Sequence, residues 1–247
     1  MNAASRLSHI PHVCRRAALL AALIAALAQP AWAQNSGGHV EQDGSDYIYV
    51  GDTSPVTLAS PKAEYGGTTV TLNHVYGGKS DAGDVKGWNL TLKGTAVVVD
   101  NAYGGWIGGS SDLVSENLVR LEGGAEVGSP SLPGANSDGG NVYGGYSANQ
   151  YKAATADAAT NNTVVLAENA QVFSGNSSPQ QNGHVFGGYA VTGSVAHNKV
   201  RIEGGGTPGT GGVLVEGDVT ANHAEAGNVM GARKIDQPDV YIEAGGG

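Results

Sequence analysis

The sequence is short of cysteine, of large apolar side chains and of charge. Its 247 residues include one cysteine, two phenylalanines and two methionines, and only 14% of them are charged. A single cysteine excludes an internal disulfide framework. The 13 basic residues are outnumbered by 22 acidic ones, which argues against a nucleic-acid binder because such proteins carry a basic stripe. These absences leave an acidic chain with no covalent cross-link.

Glycine, in contrast, is abundant. There are 40 glycines, and they follow no strict Gly-X-Y period, which excludes a collagen-like chain. A glycine inside a helix costs about 1 kcal/mol relative to alanine, so this composition disfavours a helical domain. With 40% hydrophobic residues the chain still has enough apolar surface to bury a core. We therefore predict a folded all-β protein.

The first 33 residues have the pattern of a secretory signal peptide. Their only charged residues are arginines, which precede an apolar run at 17–28. That run is too short to cross a membrane as a helix, which needs about 20 residues. Small residues at Ala31 and Ala33 predict cleavage after Ala33. Arg15 and Arg16 leave twin-arginine export as an alternative route.

Cleavage after Ala33 changes the composition of the chain. Removing 33 of 247 residues leaves 214, with 10 basic residues against 22 acidic ones. The mature chain then has no cysteine, which excludes a disulfide, a thiolate zinc site and a cysteine nucleophile. It also has no apolar stretch long enough for a transmembrane helix. The prediction is an exported protein.

An apolar–aromatic–Gly–Gly unit recurs along the mature chain. Successive aromatic positions are 27, 40 and 43 residues apart, and a decayed copy follows at 229–232. The repeat anchors are Tyr76, Gly77, Gly78, Tyr103, Gly104, Gly105, Tyr143, Gly144, Gly145, Phe186, Gly187, Gly188 and Met230. Because tight turns need positive φ, we interpret the glycine pairs as turn corners. Phe186 and Met230 have no hydroxyl, which favours packing over a ligand-binding aromatic cage as the shared role.

A second repeated unit alternates polar and branched aliphatic residues. This period of two is typical of a strand with one buried face. Its copies are Thr69–Leu72, Asn89–Leu92, Leu118–Leu121, Thr163–Leu166, Lys199–Ile202 and Asp239–Ile242.

Short strands and recurring glycine pairs predict coils that stack into a solenoid. A repeat of about 40 residues is long for one coil, so we expect two coils of roughly 22 residues in each repeat, about ten in all. Residues 34–64 are the expected lead-in or cap, and 65–247 the repeat region. Asparagines flank the strands and are expected to stack as amide ladders along the axis. They are Asn73, Asn101, Asn117, Asn141, Asn162, Asn198 and Asn228.

The paired motif of Asn-Val-Tyr-Gly-Gly and a later Asn-x-Val-x-Ile-x-Gly-Gly resembles the passenger repeats of bacterial autotransporters, the type V secretion family. The resemblance covers about residues 65–247. It implies a right-handed parallel β-helix, display on or release from a Gram-negative outer membrane, and adhesion or aggregation. It supplies no catalytic residue and no cofactor. The family's C-terminal β-barrel translocator is missing from this sequence, so we expect a truncated chain, a fragment, or a barrel encoded separately.

No motif for catalysis, metal binding or a cofactor stands out, and we predict a protein that is not an enzyme. The nearest match to a serine-protease nucleophile segment, at 51–55, has Thr53 in the serine position and is interpreted as a loop leading into a strand at 56–58. The carboxylate pairs Asp81/Asp84 and Asp236/Asp239 are interpreted as solvated.

Polysaccharide lyases also use β-helix folds, so a secreted carbohydrate-active enzyme is the alternative, and a purely structural stalk is another. Arg120 and Arg201 precede Glu122 and Glu203 by two residues each, which we interpret as a repeated surface ion pair. The main hypothesis is adhesion or self-association through a repetitive surface. The partners would be host-cell or bacterial surface glycans or proteins. Exposed aromatic residues such as Trp106 and Tyr146 are candidates for such contacts.

Overall fold

A computed structural model describes residues 35–109, 112–128, 140–150, 152–153, 156–174, 182–203 and 212–224, and the backbone of 240–243. The predicted signal peptide with Ala33, and the anchor Met230, lie outside these ranges. Within them the chain is all-β, as predicted, and forms 23 strands and no helix. In these ranges there is accordingly no helix able to cross a membrane.

The first half of the strands is β1 Gly38–Asp43, β2 Asp46–Gly51, β3 Val56–Leu58, β4 Lys62–Tyr65, β5 Thr68–Thr71, β6 His74–Ser80, β7 Val85–Lys86, β8 Asn89–Lys93, β9 Val97–Val98, β10 Ala102–Ile107, β11 Val114–Ser115, β12 Leu118–Glu122 and β13 Glu126–Val127. The remainder is β14 Val142–Ser147, β15 Asp157–Thr160, β16 Thr163–Ala167, β17 Gln171–Val172, β18 Val185–Ala190, β19 Ser194–Ala196, β20 Lys199–Glu203, β21 Leu214–Val215, β22 Val219–Ala224 and β23 Val240–Glu243.

From β6 onward, nearly every strand pairs in parallel with the strand four places further along the chain. The aromatic sheet has the order β1-β2-β6-β10-β14-β18-β22, and the aliphatic sheet has the order β3-β8-β12-β16-β20-β23. Two short-strand sheets, β7-β11-β15-β19 and β9-β13-β17-β21, lie between them in sequence. The chain therefore visits four sheets in turn and then returns to the first.

One repeat passes once through the four sheets. Tyr76 pairs directly with Tyr103, Tyr103 with Tyr143, and Tyr143 with Phe186. The prediction of two coils per repeat is wrong, because aromatic residues of consecutive repeats are neighbours on adjacent strands. Four short strands and their loops account for the length of about 40 residues.

Two antiparallel hairpins, β1–β2 and β4–β5, belong to the first part of the described chain. The predicted aliphatic copy at 69–72 falls largely in β5, which pairs with β4 and not with the aliphatic sheet. The first strand of that sheet is β3, where Val56 pairs with Leu90. The prediction that 69–72 belongs with the other aliphatic copies is wrong, because a period of two indicates a strand but not the strand with which it pairs. The other five copies supply β8, β12, β16, β20 and β23.

Aliphatic side chains form columns inside the four sheets. Val75, Ala102, Val142 and Val185 lie in register on the inner face of the aromatic sheet, and all are fully buried. The facing columns are Leu90–Val119–Val164–Val200, Leu92–Leu121–Leu166 and Val98–Val127–Val172, each member 0–1% exposed. Burial of these columns is the main apolar contribution to stability, at about 25 cal/mol per Å² removed from water.

The anchor glycine pairs lie inside strands and not at corners, so their interpretation as turns is wrong. Their φ angles are outside the left-handed region. A Cβ on Gly77, Gly104 or Gly144 would come within 2.6 Å of the carbonyl oxygen of the matching glycine on the next strand. The second glycine of a pair, such as Gly145, would place its Cβ against the side chain of Asn162. Glycine is required here because neighbouring strands and interior side chains leave no room for a Cβ.

The left-handed backbone is found elsewhere. Gly123, after β12, has a φ of +65°, as expected for a turn glycine. A residue with left-handed backbone also follows each strand of the sheet β7-β11-β15-β19, at the point where the chain turns towards its next strand in the aliphatic sheet. This position is occupied by Gly87, Glu116, Asn161 and His197 in successive repeats, the last three with φ of 58°, 56° and 58°.

We expect Gly104→Ala to lower the free energy of unfolding by about 1–3 kcal/mol, the usual cost of overpacking. The added methyl would overlap the carbonyl oxygen of Gly144 and would also press on Val119. Urea denaturation of the mature protein measures the change.

Gly44→Asn is the matched control. Gly44 lies in the β1–β2 turn at φ +63°, has nothing within 4 Å of an added Cβ, and asparagine tolerates this conformation. The control should change stability by less than about 0.5 kcal/mol. Equal stability of the two variants would contradict the close-approach explanation.

Candidate functional site

The outer face of the aromatic sheet carries aromatic side chains three residues apart. In a regular strand such residues point to opposite faces. Here the rings of Tyr143 and Tyr146 are in edge-to-face contact with centroids 5.0 Å apart, so both lie on the outer face. The intervening Gly144-Gly145 pair breaks the alternation and allows this arrangement.

The first aromatic column consists of Tyr76, Tyr103, Tyr143 and Phe186. Successive ring centroids are 4.8, 5.0 and 5.2 Å apart, and the planes are within 13° of parallel. These spacings follow the distance between strands, about 4.8 Å. Each residue is about 8% exposed, because the rings cover one another.

The second aromatic column lies beside the first and is more varied. Its register positions are Lys79, Trp106, Tyr146, Tyr189 and His223. Tyr146 stacks on Tyr189 with centroids 4.9 Å apart, and Tyr189 stacks on His223 at the same distance. The ammonium group of Lys79 lies 5.1 Å from the Tyr76 ring centroid and 5.6 Å from that of Trp106. Trp106 and Tyr146 are partly exposed.

This packing limits how the face can bind a ligand. A sugar ring binds an aromatic residue by stacking on its face, but one face of Tyr146 is in contact with Tyr189. The rings of the first column are each only about 8% exposed, so this face presents to solvent mainly the partly exposed members of the second column, such as Trp106 and Tyr146. The arrangement suits contact with an extended, repetitive partner better than enclosure of a single small molecule.

The aromatic series changes at β22. Phe186 pairs there with Thr220, Gly188 with Asn222, and Tyr189 with His223. The predicted fifth copy of the aromatic unit, at 229–232, lies outside the described residues. The strand that follows β18 in the aromatic sheet is β22, which has no Gly-Gly pair. The sequence gives little indication of this pairing of β22, because only Val219 at its start and the small residues that follow resemble the earlier copies.

Burial changes the ionisation of the column tyrosines. It raises the pKa of Tyr76 to about 12, with small contributions from Asp43 and Asp46. It also raises the pKa of Tyr103 well above its ordinary value of 10. Both hydroxyls therefore stay protonated up to alkaline pH.

An amide ladder runs inside the fold, behind the second glycine of each pair. The Nδ2 atom of Asn117 donates to Oδ1 of Asn162, Asn162 donates to Asn198, and Asn198 to Asn222, each over 2.9 Å. The same oxygens accept backbone N–H groups, such as that of Asn117 on Asn162 Oδ1 at 3.1 Å. Asn117, Asn162 and Asn198 are at most 1% exposed. The prediction of asparagine ladders is confirmed for these three, whereas Asn222 was not identified from the sequence.

A second column of side-chain acceptors lies at the beginning of the strands of the aromatic sheet; we call it the acceptor column. Its members are His74, the first residue of β6, and Asn101, Asn141, His184 and Asp218, each directly before its strand. Each of the first four accepts the backbone N–H of the next through an imidazole Nδ1 or an amide Oδ1. Burial lowers the pKa of His74, partly opposed by Asp100.

The remaining predicted asparagines have different outcomes. Asn73 accepts the backbone N–H of Tyr47 and donates to Asp100. Asn141 also donates to Oδ1 of Asn182, a residue that the sequence analysis did not single out. Asn228 lies outside the described residues.

The outer face of the aliphatic sheet carries the arginines predicted from the repeats. Arg120 contacts Glu122 at 2.6 Å and Glu203, two strands away, at 3.2 Å, and Arg201 contacts Glu203 at 3.1 Å. Between them lies Val165, only 6% exposed although it faces outward. The predicted ion pairs are confirmed, and they form a network that covers a valine rather than two separate pairs.

The acidic loops hold backbone groups. Asp84 accepts the N–H of Leu113 at 2.8 Å, and Asp112 accepts that of Gly83 at 2.6 Å. In the described part of the chain, no three His, Cys, Asp or Glu side chains are grouped so as to hold a metal ion. The segment before β3, at 52–55, is a loop, as predicted. Asp236 and Asp239 lie outside the described residues.

Comparison with known proteins gave no match for this chain. No protein-family model matches it, and no curated protein or solved structure matches it significantly.

We expect Asn162→Ala to lower the free energy of unfolding by at least about 2 kcal/mol, because it leaves buried N–H groups of Asn117 and the carbonyl of Val114 without their partner. Asn89→Ala, at an exposed position on β8, is the control and should change stability by less than about 0.5 kcal/mol. Chemical denaturation of both variants measures the difference. Similar losses in the two would show that the ladder contributes nothing specific.

We expect stability to fall at alkaline pH because of Tyr76. A pKa raised from about 10 to about 12 contributes stability that is fully present below pH 10 and is lost as the pH rises towards 12, by about 1.4 kcal/mol per unit. Urea denaturation at pH 9 and pH 11 tests this. Tyr76→Phe, which places at 76 the residue type found at 186, should reduce the loss. An unchanged loss in this variant would contradict the assignment to Tyr76.

Proposed function

We propose that this chain is an exported, autotransporter-like passenger region that mediates adhesion or self-association through a repetitive right-handed parallel β-helix, and that it is not an enzyme. The observation that carries the proposal is the register of the aromatic sheet. Equivalent side chains of successive repeats lie side by side on one outer face. A face of this kind repeats one chemical pattern along its length.

The cycle through four sheets supports the β-helix. The strands β6, β10, β14, β18 and β22 pair in parallel, and each is joined to the next through three other strands or loops. Connections between parallel strands of one sheet are right-handed in about 98% of cases, which is the basis for the proposed hand.

Repetition at the strand spacing supports a multivalent contact. A single contact with one side chain of this face is weak. When several such contacts engage a repetitive partner at once, the later contacts form at a high effective concentration, and the overall affinity rises. A bacterial or host surface polymer, or a second copy of this chain, offers such a repeat. The signal-peptide pattern of residues 1–33 supports export, and the paired sequence motif supports the type V route.

To test the proposal, the full chain is expressed in a Gram-negative host and the exported protein is collected. Its mass should correspond to a first residue at Gln34. We expect that protein to self-associate in sedimentation experiments or to bind glycans or proteins of a bacterial or host-cell surface. Binding should weaken at least about tenfold in a Trp106→Lys/Tyr146→Ala variant, which corresponds to a loss of at least about 1.4 kcal/mol of binding free energy.

The controls distinguish a loss of binding at the aromatic face from a general loss of folding. Lysine stands at the Trp106 register position on β6, so Trp106→Lys is compatible with the column. Arg120→Gln alters the outer face of the aliphatic sheet and should leave binding unchanged. Retained binding in the Trp106/Tyr146 variant would refute the role of the aromatic face, and turnover of acidic polysaccharides by the purified protein would refute the non-enzymatic proposal.

A further inference from the structure

The acceptor column joins consecutive strands of the aromatic sheet by two kinds of hydrogen bond. The N–H of Asn141 donates to Oδ1 of Asn101, and that of His184 donates to Oδ1 of Asn141, both over 2.9 Å. The N–H of Asn101 donates to Nδ1 of His74 over 3.4 Å, and that of Asp218 to Nδ1 of His184 over 2.9 Å. An amide oxygen accepts at any pH, whereas an imidazole nitrogen accepts only while it carries no proton.

We propose that the acceptor column contains an acid-sensitive seam at His74, where proton uptake on Nδ1 releases the backbone N–H group of Asn101 and loosens β10 from β6. The steps at Asn101 and Asn141, which use an amide oxygen, keep their bonds. Acid therefore acts at a defined strand pair and leaves the centre of the sheet intact.

The groups around His74 favour this role. Oδ2 of Asp100 lies 3.9 Å from Nε2, which stabilises a proton on that nitrogen and leaves Nδ1 as the acceptor. Asp43 and Asp46, at the β1–β2 turn, favour the charged imidazole, and Lys79, on the same strand, opposes it. Burial is the largest effect and lowers the pKa of His74 below its ordinary value of 6.5.

His184 has different surroundings. Its Nδ1 lies 3.8 Å from Oδ2 of Asp218, a carboxylate that is 89% exposed. Its other contacts within the described residues include the ring of Phe186, with centroids 5.8 Å apart, and the neutral Asn141. Because a carboxylate lies beside Nδ1 itself, His184 is not equivalent to His74 and is left outside the proposal.

The direction of the pH effect follows from the lowered pKa. Above pH 6.5 His74 is neutral in both the folded and the unfolded chain, and the seam is intact. As the pH falls from 6.5 towards the lowered value, the unfolded or opened form takes up the proton first, so stability is lost across that interval. The opening equilibrium rises by at most about tenfold per pH unit there.

Amide hydrogen exchange of the folded mature protein, followed by NMR from pH 7.5 to pH 5, tests the proposal. Three backbone amides are compared after correction for the intrinsic pH dependence of exchange. We expect protection at Asn101 to fall as the pH drops below 6.5, by at most about tenfold per pH unit. Protection at Asn141 and His184, whose acceptors are asparagines, should stay constant.

Asparagine already occupies this column, which supplies matched variants. His74→Asn should abolish the acid-dependent loss at Asn101. Asn101→His should create a new acid-dependent loss at Asn141, and it tests the same chemistry if His74→Asn does not fold.

The outcomes are decisive in either direction. Loss confined to the His74 step, and removed in His74→Asn, supports the seam. Equal protection at all three amides over the pH range, or a loss at Asn101 that persists in His74→Asn, would overturn it.

Discussion

The structure depends on parallel strands paired in register. Each side chain has as its nearest neighbours the side chains at the same position of the strands before and after it, at about 4.8 Å. Only groups that pack well against their own kind form long columns under this constraint. Flat rings, primary amides and branched aliphatic chains meet it, and they make up the columns of Tyr103, Asn162 and Val119.

Charged side chains do not pack against their own kind, and their placement follows the same constraint. Arg120 and Arg201 occupy one column, but Val165 lies between them, so two guanidinium groups are never adjacent. Glu203 reaches both arginines and compensates their charge. Lys79 lies beside the rings of Tyr76 and Trp106, where its charge faces the aromatic electrons.

The sequence was informative where structure is local. A period of two identified β8, β12, β16, β20 and β23, since alternation is a property of the strand itself. The glycine pairs were misread, because the atom that forbids a Cβ on Gly104 belongs to Gly144, 40 residues away. The number of coils, the place of β3 and the register of β22 also depend on pairing. At the candidate site the rings were recognised as packing residues, but the shared role of His74 and Asn101 as acceptors depends on backbone N–H groups of the neighbouring strand, which lie 27 and 40 residues further along the chain.

The two polar columns differ in chemical variety for a physical reason. Inside the fold, Asn162 must accept from Asn117 and donate to Asn198 with no water to substitute, which requires an oxygen and an NH₂ group on one short side chain. Ionised aspartate has no donor and cannot take this place. The acceptor column needs only a lone pair aimed at one N–H, so histidine and asparagine both serve there, with aspartate at the next register position. Histidine and aspartate, which titrate, are therefore admitted to the acceptor column, whereas the described members of the inner ladder are asparagines, whose amides carry no titratable proton.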